Sequence, residues 1–383
     1  MKVNPLTNFK IRGIFLRRIN RFTVEVELEN RKTLAYLPNP GRLWELLLPG
    51  TEVLLFKNKG WSKLAYTVLA AKKNELYVLL HTHLTNFLVK NLLQEGQISF
   101  LSGYEIVKEE VTFEKNRFDL LLKDRLTKEK LFLEVKTCTL FGKRMAMFPD
   151  APTSRGKRHL LELTSLVKEK KVQALCLYVI MNPEIEYFLP SYHIDLEFTK
   201  AFLSSSSYVS QKAIALQFDE KLERVIKVRE VEVPYAILER EAQDRGAYLL
   251  LIELKEAQRI KVGGLGEIDF AKGFYVYVGS AKKNLTKRIE RHLRKNKTKY
   301  WHVDYLLEKG KGCREISFRT SKQNLECFLA KELSKIAESF ISKFGSSDCE
   351  CASHLYYFLK NPLENSKFVE FINLLRLDLL PFN

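Results

Sequence analysis

The hydrophobic period of this chain changes near Thr82, and that change constrains its fold more than any other feature. Before it lie six short runs, FKIRGIFLRRI, FTVEVEL, KTLAYL, TEVLLF, KLAYTVLAAK and ELYVLL, rich in β-branched and aromatic residues and separated by Asn, Pro and Gly. Short strands in succession predict a small β-barrel. One helix is expected to interrupt them at GRLWELL, where Pro38-Asn39-Pro40-Gly41 ends a strand and Leu43, Leu46 and Leu47 share a helical face. Beyond Thr82, Leu84, Phe87, Leu88, Asn91 and Leu92 recur at helical spacing as far as Gly96. The runs EEVTFEK, RFDLLLK, KLFLEVKT and VQALCLYVI then read as strands, with a helix at RHLLELTSLVKEK before the last. Such an order predicts an α/β sheet with a crossover.

Four serines at 204–207 precede two more strand segments, AIALQF and RVIKVREVEV. Pro234 closes that region, and YAILEREAQDRG reads as a short helical connection into a new strand at Ala247. A length of 383 residues exceeds what one core usually holds. The expected organisation is an α/β multidomain protein divided into 1–81, 82–235 and 236–383.

Net charge is +17, which favours polyanionic partners, because cations placed on phosphates release condensed counterions. Solubility, or the Lys and Glu bias of thermophiles, gives the same number. An anionic membrane surface is disfavoured, since no basic amphipathic helix carries an aromatic face. The opening MKVNPLTNFKIRG lacks a secretory apolar core and no apolar run reaches about 18 residues, so a cytoplasmic protein without membrane contact is expected. Six cysteines are too few for a disulfide framework in a chain this long. Nothing marks a small-molecule cofactor, and the oligomeric state is not legible.

Asp119 and Glu134 stand inside otherwise apolar strands, where an uncompensated carboxylate costs several kcal/mol. A divalent cation compensates such a pair, because Mg²⁺ takes oxygen ligands from one or two carboxylates together with phosphate. Period-two alternation places Glu134 and Lys136 on one face of their strand. A strand-end salt bridge accounts for the same Glu-x-Lys pattern. The following helix, RGKRHLLELTSL, carries Arg155, Lys157, Arg158 and His159 at its N-terminal end, where phosphates are favoured. In the first segment, Arg17, Arg18, Arg21, Phe22 and Arg42 are candidates for phosphate contact and base stacking, although each alone is also an ordinary surface residue.

Asp119 followed by Glu134-x-Lys136 on the next strand resembles the PD-(D/E)XK nucleases. That resemblance implies that both acids bind a metal, Mg²⁺ or Mn²⁺, and that Lys136 orients or activates the attacking water. Residues 1–235 resemble the sugar fermentation stimulation protein (SfsA) family through RRINRFTVEVEL, LPNPGRLWELLLPG, RFDLLL, LEVKTCTL and MFPDAPTSRGKRHLLEL. This likeness implies an OB-like barrel, a PD-(D/E)XK nuclease-like domain and DNA binding. A DNA-binding regulator of sugar metabolism is the alternative to a nuclease.

After residue 245, GAYLLLIEL and GFYVYVGSA read as two strands joined by a glycine-bearing connection and followed by a basic helix with Arg288 and His292. Gly246-Ala247-Tyr248 and Tyr277-Val278-Gly279 resemble the two motifs of the GIY-YIG nucleases, with Ala247 and Val278 in place of isoleucines and a longer intervening segment. Residues 240–383 are similar to the Uri-like endonucleases within that group, through FYVYVGSA, RIERHLRKNKTKYWHVDYLL and SSDCECASHL. The resemblance implies that Tyr248 and Tyr277 match the two motif tyrosines, one of which helps a water or hydroxyl attack phosphorus, that Arg288 steadies the phosphate and that Glu326 binds the metal. Cations with neighbouring aromatics in RIERHLRKNKTKYWH make Arg291, His292, Trp301 and His302 candidates for nucleic-acid contact.

Cys349, Cys351 and His354, with Cys313, are permitted zinc ligands. Their Cys-x-Cys-x2-His spacing falls short of the paired knuckle that marks zinc, so buried free thiols and a site-lining His354 or His302 are expected instead. The function read from sequence is metal-dependent phosphodiester hydrolysis at two sites, acting on DNA ahead of RNA. A non-catalytic DNA-binding regulator and an RNA-processing nuclease are the alternatives.

Overall fold

The computed structural model describes residues 6, 9–58, 62–113, 116–170 and 172–382. Most of the MKVNPLTN opening and the last two residues of the EEVTFEK run lie outside the described residues. Two compact units emerge, one comprising Met1–Ser191 and Glu197–Tyr235, the other Tyr192–Leu196 and Ala236–Asn383.

The first unit begins with strands β1 (Ile11–Asn20), β2 (Thr23–Leu28), β3 (Arg31–Tyr36), β4 (Glu52–Lys57), β5 (Tyr66–Lys73) and β6 (Leu76–Leu79). They pair in the order β3-β2-β1-β4-β5-β6, and a parallel pairing of β3 with β5 through Ala35↔Tyr66 closes the first five into an OB-like barrel. In β2 the sequence TVEVEL alternates, with Val24, Val26 and Leu28 buried. Glu29 and Asn30 both take positive φ in the two-residue turn to β3, the backbone that matches strand twist. Register shifts in β1 after Phe15 and Arg18 bend that long strand around the barrel.

The helix expected at GRLWELL does not form. Residues 44–46 make one turn, with Leu46 and Leu47 both donating to the Leu43 carbonyl. Leu43 itself has φ 54°, and its N–H donates to Asp150 Oδ2 at 3.0 Å. A residue fixed in the left-handed region cannot propagate a right-handed helix, so the three leucines fill the core from a turn.

The unit continues through α1 (His83–Gln94), β7 (Tyr104–Phe113), β8 (Asn116–Asp124), β9 (Lys130–Cys138), β10 (Leu140–Phe141), β11 (Met145–Phe148), α2 (Ser154–Lys170), β12 (Gln173–Ile180), β13 (Tyr187–Pro190), α3 (Leu196–Ser205), β14 (Ser210–Phe218) and β15 (Val225–Val231). A six-stranded sheet runs β15-β14-β12-β9-β8-β7. β7, β8 and β9 form an antiparallel meander; β9, β12 and β14 are parallel, with α2 and α3 in their connections. β12 is buried along nearly all of QALCLYVI, as expected for a strand covered on both faces. The sequence missed a small second sheet, β10-β11-β13, whose strands have only two to four residues.

The second unit contains α4 (Tyr235–Glu241), β16 (Gly246–Leu254), β17 (Gln258–Lys261), β18 (Glu267–Phe270), β19 (Gly273–Ala281), α5 (Leu285–Leu293), α6 (His302–Lys309), β20 (Lys311–Arg319), α7 (Leu325–Leu333), β21 (Ser339–Phe340), β22 (Leu355–Phe358) and α8 (Ser366–Asn373). Its antiparallel sheet runs β20-β16-β19-β22-β21. The segment joining β16 to β19 is a hairpin of its own, β17 with β18, rather than a plain connection. Gly246 is required: at φ 133°, a Cβ there would stand 2.0 Å from the Phe318 carbonyl oxygen. The segment Tyr192–Leu196 belongs here through Arg319. Its backbone N–H donates to His193 Nδ1 at 3.0 Å, and its guanidinium reaches the His193 carbonyl at 2.6 Å and the Tyr192 carbonyl at 3.2 Å.

Candidate functional site

Asp119 on β8 and Glu134 and Lys136 on the adjacent β9 converge, as the alternation of β9 requires. Lys136 Nζ donates to Glu134 Oε1 at 2.5 Å, and His159 Nδ1 meets the same oxygen at 2.6 Å. Arg155 Nε–H donates to His159 Nε2 at 3.3 Å, so Nδ1 carries the proton directed at Glu134. Asp119 accepts from the Asn86 side chain on α1 at 2.6 Å and from the Val135 N–H at 2.7 Å. Glu134 Oε2 is buried and has no hydrogen-bond partner among the described residues. Asn86, Asp119, Glu134 and Lys136 line a cleft of about 1110 Å³, together with Arg21 and Gly41 from the barrel and Asp150 and Arg155.

The electrostatics separate the two acids. Burial and the neighbouring Glu134 carboxylate push Asp119 up to about 6. Burial alone would raise Glu134 as well, but the His159 hydrogen bond and the Lys136 charge outweigh it and hold its carboxyl below the usual range. Burial pulls Lys136 down, but Glu134 together with Cys176 and Asp119 outweighs it, so it stays a cation. A buried, ionised carboxylate oxygen without a donor is the arrangement that a hard cation completes. On that observation the residue set fits a divalent metal.

The other candidates of this unit have varied surroundings. Arg18 uses all five N–H groups on backbone carbonyls of Asn20, Gly41, Arg42, Arg21 and Asn39, which fixes the 39–42 loop. Arg17 is exposed and paired with Glu25; Arg158 is paired with Glu162. Arg21 lines the cleft with its guanidinium 5.9 Å from the Phe22 ring, and Arg42 lies 5.0 Å from the Trp44 ring. His159, read from sequence as a phosphate contact, is buried against Glu134. Sequence reading missed Asn86, whose signal was a polar residue within the helical run; it places Asp150 with Pro149 and Pro152 in a loop near the site but assigns it no role, and that carboxylate packs so closely that a Cβ on Gly41 would stand 2.4 Å from it.

In the second unit the register pairs Tyr248 on β16 with Gly279 on β19. A Cβ at Gly279 would lie 2.5 Å from the Tyr248 hydroxyl, so the glycine of the second motif makes room for the tyrosine of the first. The Tyr248 hydroxyl donates to His292 Nε2 at 2.9 Å, and His292 Nδ1 faces Asp304 Oδ1 at 3.3 Å. Asp304 also accepts from both Arg291 Nη atoms at 3.1 Å and from the N–H groups of Tyr300 and Trp301. Burial favours a neutral His292 and a protonated Tyr248. Burial alone would raise Asp304, but the His292 and Arg291 hydrogen bonds hold it far below the carboxylate range.

Arg288 donates to the Ser280 carbonyl, and the Ser280 hydroxyl donates to Glu326. Tyr277 is buried, and burial raises its pKa with Glu326 adding to the effect. Trp301 lies beneath two guanidinium groups, Arg291 at 4.2 Å and Arg288 at 5.0 Å, and His302 Nδ1 accepts from the Gly345 N–H. His292, expected at a nucleic-acid surface, is only 1% exposed. Asp304 was missed because its signal, one acid after Trp301-His302, resembles an ordinary first-turn residue.

Cys349 and Cys351, expected to be buried thiols, are only partly buried and lie in a cluster of possible ligands. Cys327, Cys349, Cys351 and His354 bring four ligand atoms within 4.8 Å of one another, a group able to hold a metal ion. Cys327, which no sequence spacing suggested, replaces Cys313, whose thiol is pushed up to about 12 by burial on β20. Among the described residues no helix is long and apolar enough to cross a membrane.

A closed OB-like barrel leading into an α/β sheet with a buried carboxylate pair defines the class. Family models match it in sequence: the SfsA N-terminal OB domain over residues 16–80 and the Sugar fermentation stimulation protein RE domain over 83–222. The Domain of unknown function DUF123 matches residues 247–377. A sugar fermentation stimulation protein homolog of Methanosphaera stadtmanae is 38% identical over 204 residues, covering 52% of this chain and 82% of that one. Its counterpart in Methanothermobacter thermautotrophicus is 35% identical over 202 residues, covering 52% and 83%. The structure of Pyrococcus furiosus SfsA in complex with Ca²⁺ is similar with a TM-score of 0.54 at 27% identity, covering 61% of this chain and 97% of that one. The chain belongs to the sugar fermentation stimulation protein family.

Proposed function

We propose that the chain binds nucleic acid, DNA ahead of RNA, through the barrel and cleft of its first unit, as a DNA-binding regulator would. The observation that carries this reading is the cleft itself: Arg21 and Arg155 line one groove of about 1110 Å³, in a chain of net charge +17. Phe22, exposed beside Arg21, offers a face on which a base can stack. In this reading 1–81, 82–235 and 236–383 act as an OB-like barrel, a PD-(D/E)XK-like domain and a GIY-YIG-like domain.

Glu134 Oε2 favours a second reading, phosphodiester hydrolysis, because a protein that only binds DNA has no need of a buried, unpartnered carboxylate oxygen. Asp119 and Glu134 would hold Mg²⁺ or Mn²⁺, as the Ca²⁺ of the Pyrococcus furiosus relative suggests, and the ion would supply charge neutralisation and an acidified water. Lys136, kept cationic beside Glu134, would orient the attacking water. In the second unit, Tyr248 would take a proton from an attacking water as its own passes to His292 Nε2, while the His292 Nδ1–H stays directed at Asp304, so the phenol relays the proton without being left ionised. Arg288 would face the phosphate and Glu326 the metal.

Anisotropy titrations of labelled duplex, single-stranded DNA and RNA across a range of salt test the first reading. DNA is expected to bind more tightly than RNA, with affinity falling linearly in log salt, and salt-insensitive or absent binding overturns it. Adding Mg²⁺ or Mn²⁺ and comparing wild type with Glu134→Ala, Glu326→Ala and the double variant tests the second. Cutting lost in one single variant assigns the chemistry to that site; binding without cutting leaves the regulator.

A further inference from the structure

From the arrangement of Cys327, Cys349, Cys351 and His354, we propose that these four residues hold a zinc ion that fastens α7 to the 341–354 segment. They arrive from two separate stretches, a helix and a later loop, yet their ligand atoms all lie within 4.8 Å of one another. Zn–S bonds of about 2.3 Å and a Zn–N bond of about 2.0 Å in a tetrahedron separate the ligands by roughly 3.5–3.8 Å. Closure therefore needs a change of about 1.3 Å at most in any ligand–ligand separation. Three soft thiolates with one imidazole select zinc over a hard cation such as Mg²⁺, and four protein ligands leave no open position, which makes the site structural. The three thiol protons leave to solvent as the ion binds.

His354 supplies an independent observation. It is 1% exposed; its Nε2 lies 3.4 Å from Cys349 Sγ, and its Nδ1 lies 3.3 Å from Glu326 Oε1. Zinc-bound histidines commonly direct the other ring nitrogen at a carboxylate, which fixes the tautomer. Here that carboxylate is Glu326, the residue preceding Cys327, and the Ser280 hydroxyl holds its other oxygen. The ion would thus set the rotamer of Glu326 from behind. The zinc inference rests on ligand geometry and holds whether or not either unit cleaves nucleic acid.

The test is metal analysis of the full chain purified under reducing conditions, followed by replacement with Co²⁺. About one zinc per chain is expected, together with the visible absorption of tetrahedral cobalt thiolate. Cys351→Ser should lose the zinc and Cys313→Ser should keep it. Because Cys351→Ser can also unfold the unit, the wild-type zinc content and cobalt spectrum decide by themselves. A reduced wild type that holds no zinc and gives no cobalt thiolate spectrum overturns the proposal, as does a disulfide among these cysteines in the purified protein. Zinc content unchanged by Glu134→Ala, whatever happens to cleavage, keeps this result separate from the nuclease reading.

Discussion

Glu45 is a carboxyl held where water cannot fully compensate it. Its Oε1 has no hydrogen-bond partner among the described residues, and burial pushes its pKa up to about 7, against the pull of Lys73 and with added push from Asp150. Because the folded pKa exceeds the unfolded value of about 4.3, the folded chain binds this proton more tightly. The stability it contributes is complete below pH 4 and is lost as pH rises through 7, on the order of 3 kcal/mol in all. Glu45→Gln should therefore raise the Tm at pH 8 and leave it unchanged at pH 4. Thermal melts across that range check this, and an equal shift at every pH contradicts it. Arg18 shows the limit of reading at this scale, since the sequence groups it with Arg17 and Arg21 as a phosphate ligand. Three of its five carbonyl partners, Asn39, Gly41 and Arg42, come from an irregular loop that no periodicity describes.

Hydrophobic alternation made the long elements legible, because β2, β8, β9, β12, β14, β16 and β19 each present a period or an apolar run that burial demands. It failed at 41–50, where Asp150, distant in sequence, holds Leu43 in a left-handed turn. It also failed for β17 and β18, whose four-residue strands are too short to register a period. The carboxylate site was legible for a similar reason: Glu134 and Lys136 share a strand face, whereas the helix that brings His159 onto Glu134 could be placed only by the fold. Cys327 was illegible as a ligand because it and Cys351 sit on different elements. The β16–β19 pairing carries a prediction of its own. Gly279→Ala places a methyl group 2.5 Å from the Tyr248 hydroxyl and should break its hydrogen bond to His292. A destabilisation of about 2 kcal/mol or more is expected from this overpacking, with the first unit's DNA binding retained. Denaturant melts together with anisotropy check both halves of that statement.

Over the whole molecule, the charge of +17 predicts binding governed by counterion release. Replacing Arg21 and Arg155 together by Ala should reduce the slope of log affinity against log salt by about 2. Arg17→Ala, whose exposed guanidinium is paired with Glu25, should change the slope least. An unchanged slope in the Arg21 and Arg155 variant removes the cleft from the binding surface.

The five residues Tyr192–Leu196 have a further consequence for anyone dividing this protein by its two halves. They belong by contact to the second unit, although the chain returns to the first for Glu197–Tyr235. Arg319, 6% exposed, takes its carbonyl acceptors from that short insert. A fragment of residues 236–383 would keep the guanidinium with Asp244 and Thr286 but lose those acceptors and the packing of the insert. Such a fragment is expected to melt well below the second unit of the intact chain, and adding a peptide of residues 190–198 should recover part of the difference. The halves are thus not beads that a single cut at residue 235 can release, and gain or loss of the second by recombination would also have to deal with a loop carried inside the first.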